Sequence, residues 1–484
     1  MSANYLHGAE SITLTTGGVQ VRQVKTAVIG LVGTAPVHLL AAANRTVNEL
    51  AQILSATDAG LYGGPAVSGF TIPQALDAIF DQGAGTVMIV NVFDPAKHKT
   101  AVAAENATFA ANDQVILAQG AKSVISAVVK NATGDTTYVE DTDYSLDRQT
   151  GTLTRLSGGA IASGATVQVS YDVPDLSAIT AADIIGAVGA DGERTGMQEW
   201  LSCYNAFGFH PKILIAPGYC TLLGVATELD VLADKLRAIA LVDAPAGTTR
   251  DGAINGRGPE GEINFQFSNF RTALLFPHLK VYDSATDADR LEPYSQRFAG
   301  VIAATDIDEG YHVSPSNKEI KGITGVEVKL YASVNDPSCD VNALNEAGIV
   351  TVFNAFGSGF RTWGNRASAY PNSTDPRNFI AIQRTFDVVD ESIELAALQF
   401  VDRPITKALI DSILDTCNGF IRTLIGRRAL YPGSVAYYDP TRNEATELAA
   451  GHLVISRKYM APPPAERITF ENTIDINLVT SVAN

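Results

Sequence analysis

Apolar and polar positions change period several times along the chain, and each change marks a different kind of unit. From about Lys25, short apolar runs alternate with amphipathic stretches. TAVIGLVG reads as a buried strand, IPQALDAIF as a helix with Pro73 in its first turn, and TVMIVNVF as a second strand. The pattern stops at Asp94-Pro95 and resumes near Ser177, through AADIIGAVG, the helix GMQEWLSCYNAFG, the strand KILIAP, the helix LLGVATELDVLADKLRAI and the strand AIALVDAP. It returns in TALLFPHLKVYD, in a helix near LEPYSQRFAGVIAAT and in VNALNEAGIVTVFNAF. Strands that alternate with helices predict a mostly parallel sheet covered on both faces.

The stretch from about Lys99 to Pro174 has another texture. TTYVEDTDYSLDRQTGTLTRLSGGAIASGATVQVSYDV alternates at period two between turn signals, which predicts a small antiparallel β-sandwich inserted into a loop of the α/β unit. After about Phe360 a third unit begins. Its centre is an amphipathic helix starting near Pro404, with Ile405, Leu409, Ile413, Cys417, Phe420 and Leu424 on one face. Arg427 and Arg428 stand at its end, where the helix dipole favours cations. Strand-like SVAYYD and HLVISRKYM follow.

The tail is peculiar. After Pro462, Pro463 and Pro464, the apolar residues Ile468, Phe470, Ile474, Ile476 and Leu478 share one parity, interrupted only by Asn472. That is the period of a half-buried strand, yet no Asn-Gly, Asp-Gly or Gly-Gly pair would fold it into a hairpin. Near the other end, SITLTT alternates too, through Ile12 and Leu14. Both ends predict strands whose partners lie elsewhere.

At 484 residues the chain predicts two to four domains, and 46% apolar with 18% charged residues predicts a well-buried globular protein. A net charge of −17 argues against wrapping nucleic acid. The charge is uneven: Arg361 to the end carries a net −1 and the remainder −16, so the last part is comparatively basic. Cys203, Cys220, Cys339 and Cys417 are too widely spaced for a disulfide framework or a zinc site of usual spacing, and are expected to be reduced. The start has no signal-peptide pattern, and the run Thr26 to Ala43, broken by Pro36 and His38, is too short to span a membrane.

Candidate chemistry is sparse. Gly256-Arg-Gly258-Pro-Glu-Gly261 matches G-x-G-x-x-G formally but leads into strand-like INFQF rather than a helix, so it reads as a mobile or interface loop. There is no G-x-S-x-G elbow, Walker motif or H-E-x-x-H. Cys203, His210 and Cys220 match no metal-ligand spacing and read as buried groups. Arg361 and Arg366 flank Trp363, and Arg384 is placed at the end of a strand before an acidic helix. Structural pairing with carboxylates and contact with another subunit are both open to these arginines.

Taken together, KTAVIGLVGTAP, HPKILIAPGY, GIVTVFNAFGSGFRTWGNRAS and FIAIQRTFDVVDESIELAALQFVDRPITKALIDSILDTCNGFIRTLIGRRAL resemble the tail sheath proteins of contractile bacteriophages, with relatives in R-type pyocins and other contractile injection systems. The resemblance implies a subtilisin-like α/β sheath domain without catalytic residues, at 23–98 and 177–360, with an inserted β domain at 99–176. It further implies an N-terminal arm at 1–22, a C-terminal α+β domain at 361–465 and a C-terminal strand or arm at 466–484. The function implied is that of a structural subunit, not an enzyme, that polymerises helically around an inner tail tube and contracts to deliver a genome. The sheath of a phage-derived particle such as an R-type pyocin and an α/β enzyme are the alternatives. No cofactor, metal, direct nucleic acid contact or membrane insertion is implied. Partners would be further copies of the chain, the tube, the baseplate and a tail terminator. The protein would assemble in the host cytoplasm and reside in the virion. In this family terminal arms add strands to a sheet in neighbouring subunits, which assigns Ile12, Leu14, Ile468, Phe470, Ile474, Ile476 and Leu478 to strand donation. The C-terminal domain faces the tube, making Lys407, Arg422, Arg427 and Arg428 candidates for touching an acidic tube surface.

Overall fold

The computed structural model describes residues 21–478 except 42–44, 63–66, 68, 84, 260, 262, 285, 355–356 and 358. Ile12 and Leu14 lie outside the described residues. The apolar runs build one eight-stranded sheet from β1 (Val28–Gly33), β2 (Leu50–Ile53), β3 (Thr86–Asn91), β4 (Ile213–Ile215), β5 (Ile239–Asp243), β6 (Thr272–Leu275), β7 (Ile349–Asn354) and β8 (Phe360–Trp363). Their order is β8-β7-β6-β5-β4-β1-β3-β2. The six inner strands are parallel, while β2 and β8 lie antiparallel at the two edges. β1, β4, β5 and β6 are buried along their whole length, which is why they read as continuous apolar runs rather than alternating ones. The edge strand β2 is not legible in the sequence, since LAQI is short and only its last residue is buried.

Helices α1 (Thr71–Asp81), α2 (Leu223–Leu236) and α3 (Tyr294–Asp308) pack on this sheet. α3 is buried nearly all round, and Gly300 lets it approach α1: a Cβ there would stand 2.8 Å from Gln82 Cγ and 3.1 Å from the Ile79 carbonyl oxygen. The predicted helix GMQEWLSCYNAFG is a 3-10 turn, Gly196–Ser202, followed by a short helix, Cys203–Phe207.

Between β3 and β4 the chain leaves the sheet and folds two three-stranded antiparallel sheets. One contains Lys99–Thr108, Thr166–Pro174 and Ser126–Asn131, the other Gln114–Ile116, Thr152–Arg155 and Tyr144–Asp147. They enclose a separate core that includes Phe109, Leu117, Val129, Leu153 and Val169. At its root His38 Nε2 shares a 2.7 Å hydrogen bond with Ser123 Oγ, and the ring lies against Phe70 and Phe93.

The last unit comprises α4 (Ile380–Ala397), α5 (Lys407–Gly426) and a two-stranded antiparallel ribbon of Val435–Tyr438 and Ile455–Lys458. Its core centres on Ile382, Val389, Cys417, Phe420, Ile421 and Leu424. Two boundaries differ from the sequence reading. IAIQR belongs to α4, with Phe379 at its N-cap position, rather than to a strand; Ile380, Ala381 and Ile382 are buried in succession, so the first turn reads as a strand before the charged face begins at Arg384. α5 starts at Lys407, not near Pro404, because Thr406 Oγ1 caps it by accepting from the Leu409 N–H at 3.2 Å. Among the described residues no helix is long and apolar enough to cross a membrane.

Burial, reinforced by the charges of Arg45 and Arg148, lowers the His38 pKa to about 4. The unfolded chain therefore binds this proton more tightly than the native one, so the stabilisation is full above about pH 6.5 and is lost as pH falls toward 4. Acidification across that window should weaken the root of the inserted unit by at most about 3 kcal/mol. His38→Gln should flatten that part of the profile, as read by denaturant unfolding from pH 4 to 7.

Candidate functional site

α/β sheets place their chemistry at the carboxyl ends of parallel strands, and that rim holds one suggestive cluster. Asp243 ends β5, and its carboxylate accepts from the Ser295 N–H at 2.7 Å, the Ser295 hydroxyl at 2.5 Å and the Cys220 thiol at 3.4 Å. The group resembles a nucleophile with its acid partner, but Asp243, Ser295 and Cys220 are all buried. Burial raises the Asp243 carboxyl above its usual range and pushes the Cys220 thiol up likewise. A protonation-prone acid beside a silenced thiol, sealed from substrate, ties β5 to the first turn of α3; it does not activate a nucleophile. Sequence reasoning missed this cluster; the only trace was an aspartate closing the apolar run AIALVD.

The other sequence candidates are structural as well. All four cysteines are free and buried, and burial pushes the Cys203 thiol up to about 12. Arg257, inside the glycine-rich string, donates to the carbonyl oxygens of Phe265, Phe267, Ser368 and Tyr370 at 2.5–2.8 Å. It ties the start of the string to its neighbours within the same chain. A cleft of about 560 Å³ is lined by residues including Lys25, Tyr204, Phe209, His210 and Leu398. It opens beside the segments preceding β1 and β4, on the rim opposite the one α/β enzymes use. Among the described residues no group of three or more His, Cys, Asp or Glu is placed to hold a metal ion.

The dense electrostatics lie between the sheet and α4. Arg384, Asp387, Glu391 and Glu394 are spaced three, four and three residues apart and so share one helix face. Arg384 forms a bidentate pair with Asp306 of α3 at 2.5 and 2.6 Å, and also donates to the Thr26 carbonyl oxygen. Arg271, just before β6, clamps Asp387 at 2.6 and 2.7 Å. Lys212, just before β4, reaches Glu391 at 2.5 Å and the Leu236 carbonyl oxygen at 2.8 Å. Arg237, before β5, meets Glu394 at 2.7 Å. Thus α4 lies across the amino ends of β4, β5 and β6. Burial raises the Asp387 pKa and lowers that of Lys212, in each case against the opposing partner charge.

Both ends of the described chain emerge from this unit. Val21 packs on its core, Val24 N–H donates to Ser392 Oγ at 3.2 Å, and Arg427 Nη1 donates to Gln23 Oε1 at 2.9 Å. At the other end Ala461 is the last core residue, and Arg366 holds Glu466 at 2.5 and 3.1 Å with its guanidinium over the rings of Phe379 and Tyr370. Beyond Glu466 no strand forms among the described residues of the arm. Ile468, Phe470, Ile474, Ile476 and Leu478 are 67–91% exposed. Five large apolar groups of one parity in water form a surface that a soluble monomer does not ordinarily keep.

Lys407, Arg422, Arg427 and Arg428 are all exposed. Lys407 opens α5 and Arg422 lies near its end, with exposed Asp411 and Asp415 between them, so this helix presents mixed charge rather than a basic stripe. Arg427 and Arg428 follow the last helical residue, Gly426, and Arg428 has a left-handed backbone at φ 62°. Of the three arginines singled out near the boundary, Arg366 and Arg384 pair with carboxylates, while Arg361 donates to the Asn317 carbonyl oxygen at 3.0 Å.

Comparison with known proteins agrees with this architecture. Residues 178–368 match the phage tail sheath protein central domain and 373–475 the phage tail sheath C-terminal domain; 95–183 match a family of unknown function. The chain is 52% identical over 476 residues to the tail sheath protein of Burkholderia phage BcepMu, covering 98% of each. It is 35% identical to a putative prophage major tail sheath protein of Pseudomonas aeruginosa, over 66% of this chain and 80% of that one. In fold it is similar to the helical sheath of the anti-feeding prophage in its contracted state, with a TM-score of 0.60, 17% identity and 98% and 100% coverage of the two chains. The contracted PVC sheath complex of an extracellular contractile injection system gives 0.59, 15%, 99% and 100%.

Arg384→Met should leave Asp306, 1% exposed, as an unpaired buried charge and lower stability by about 3–5 kcal/mol. Adding Asp306→Leu should recover most of that loss. Arg237→Ala, whose partner Glu394 is 56% exposed, should cost about 1 kcal/mol or less. Denaturant unfolding of the three variants checks the ranking.

Proposed function

Since the chain belongs to the phage tail sheath family, we propose that it polymerises helically around an inner tail tube and contracts to drive that tube through a host envelope for genome delivery. The observation that carries this reading is the pairing of two incomplete surfaces. The arm beyond Glu466 exposes an apolar face of one parity, and among the described residues the ribbon of the C-terminal unit has two strands. A two-stranded ribbon is marginal in water, and an extended segment that adds a strand supplies main-chain hydrogen bonds and side-chain burial together. The arm of one copy extends the ribbon of the next. A head-to-tail contact that does not close into a ring yields a helical polymer.

In this reading residues 1–22 and 466–484 are the arms, 361–465 the α+β unit that receives strands, 23–98 and 177–360 a subtilisin-like α/β unit without its chemistry, and 99–176 the inserted domain. Ile12 and Leu14 donate from the other arm. Pro462, Pro463 and Pro464 act as a short stiff spacer that projects the strand away from its own ribbon. The energy of contraction comes from surface newly buried between subunits, which move as rigid bodies, and no nucleotide is consumed. The tube is met by the C-terminal unit, with Lys407, Arg422, Arg427 and Arg428 as candidate contacts, and the baseplate and a terminator bound the polymer's ends. Assembly takes place in the host cytoplasm, and the finished sheath resides in the virion.

The intact chain should form regular striated tubes in negative-stain electron microscopy, and truncation before Arg467 should abolish them. Tubes that survive truncation would mean that the arm does not link subunits. Charge reversal at Lys407 and Arg422 together should reduce co-assembly with the tube protein while leaving sheath polymers intact; unchanged co-assembly in a pull-down would remove these two residues from the tube contact.

A further inference from the structure

The ribbon has two long edges, and they are not equivalent. Asn418, on α5, donates from Nδ2 to the Ala436 carbonyl oxygen at 2.9 Å and accepts from the Ala436 N–H on Oδ1 at 2.9 Å. Its side-chain amide thus makes with this residue the two bonds that a neighbouring strand would make. α5 also packs along Val435–Tyr438. Since both main-chain groups of Ala436 turn to Asn418, Ala436 and its cross-strand neighbour Arg457 form a non-hydrogen-bonded pair. Parity then gives the rest. Val435 with Lys458 and Tyr437 with Ser456 bond across the ribbon, while Ile455 and Arg457 turn their N–H and C=O groups outward on the far edge.

Neighbouring bonds obey the same parity. Met460, even like Ser456 and Lys458, accepts inward from the Tyr431 N–H at 2.9 Å, and Val454 exchanges bonds of 2.8 and 2.9 Å with the Asn443 amide. One edge is therefore capped at Ala436 by a side chain, with α5 packed along it from Val435 to Tyr438, and the other presents the outward groups of Ile455 and Arg457. Side chains of Arg457 and Tyr459 turn toward α4, where both reach Asp390 Oδ1 at 2.9 and 2.6 Å, and so leave the edge itself clear.

We infer that the arm of a second copy adds only to the Ile455–Lys458 edge, and that Asn418 is the residue that excludes the opposite edge. The inference rests on the strand-donation reading above and supplies its direction of growth. The occupant is residues 467–478 of another copy, whose alternating apolar side chains continue the half-buried face of Ile455 and Tyr459. Any further strand must then add onto the first donated one, so the sheet grows to one side only. An edge left open on both sides would accept strands in two directions, and a helical lattice needs one.

Hydrogen exchange on the intact chain, compared between monomer and polymer, tests the assignment. The Ala436 amide should already be protected in the monomer and change little, whereas exchange at Arg457 should slow at least about tenfold on assembly. Ile455→Pro removes an outward N–H while sparing the bonds across the ribbon, so it should leave the monomer's thermal unfolding within a few degrees of wild type and abolish tubes. Asn418→Ala should keep tubes but add branched or irregular aggregates through the uncovered edge. If slowing falls at Ala436 rather than Arg457, or Ile455→Pro forms normal tubes, the edge assignment is overturned. If tubes also survive truncation before Arg467, it is the strand-donation reading that falls.

Discussion

A charge removed from water must find its counter-charge inside the protein, and here that requirement sets how the sheet and the terminal unit sit together. Arg384 with Asp306, Asp387 with Arg271, and Glu391 with Lys212 put six largely buried charges between α4 and the sheet. Such pairs add little net stability over apolar packing, but each is punishing to break, since the survivor remains buried and unpaired. A shift of α4 by one turn would unpair several of them together. The opposite face of the same helix carries Ile382, Val389 and Ile393 into the core beneath the ribbon. α4 therefore joins the core beneath the ribbon to the amino ends of the sheet.

The two ends of the molecule contrast in how finished they are. In the central sheet both edges are antiparallel strands, and the inner strands are buried on two faces. In the terminal unit the described residues form a sheet of two strands, and the chain runs on into an arm with its apolar parity in water. Exposed edges and exposed apolar strands are hazards in a monomer and assembly devices in a polymer, and the difference lies in how tightly the partner edge is specified. A capped edge beside an uncapped one is such a specification.

Asp243, Ser295 and Cys220 meet at the carboxyl rim of the sheet, yet packing closes over them, and their hydrogen bonds hold β5 to α3. Beside them Arg297 and Glu292, both fully buried, join α3 to the short strand Ala288–Glu292 and, through Asp81, to α1. Polar groups that would serve substrates in an open site here join one element to the next.

The sequence alone determined the elements whose signal is local. The buried strands of the sheet, the amphipathic α5 and the antiparallel sheets between β3 and β4 could be read from period and turn residues, because side-chain direction along a helix or strand is a property of the backbone itself. The family resemblance rested instead on the identity and order of four stretches along the chain. What the sequence could not reveal depended on distant partners. Arg384 reads as the end of a strand because the consecutive buried residues before it, Ile380, Ala381 and Ile382, hide the helical period. The Asp243 cluster joins residues 220, 243 and 295, and the Asn418 cap joins α5 to a strand 18 residues on, so neither has a spacing that marks it. Which edge of the ribbon is closed was decided by tertiary structure alone, since one side-chain amide must stand within hydrogen-bonding reach of one peptide, and only the packing of α5 brings it there.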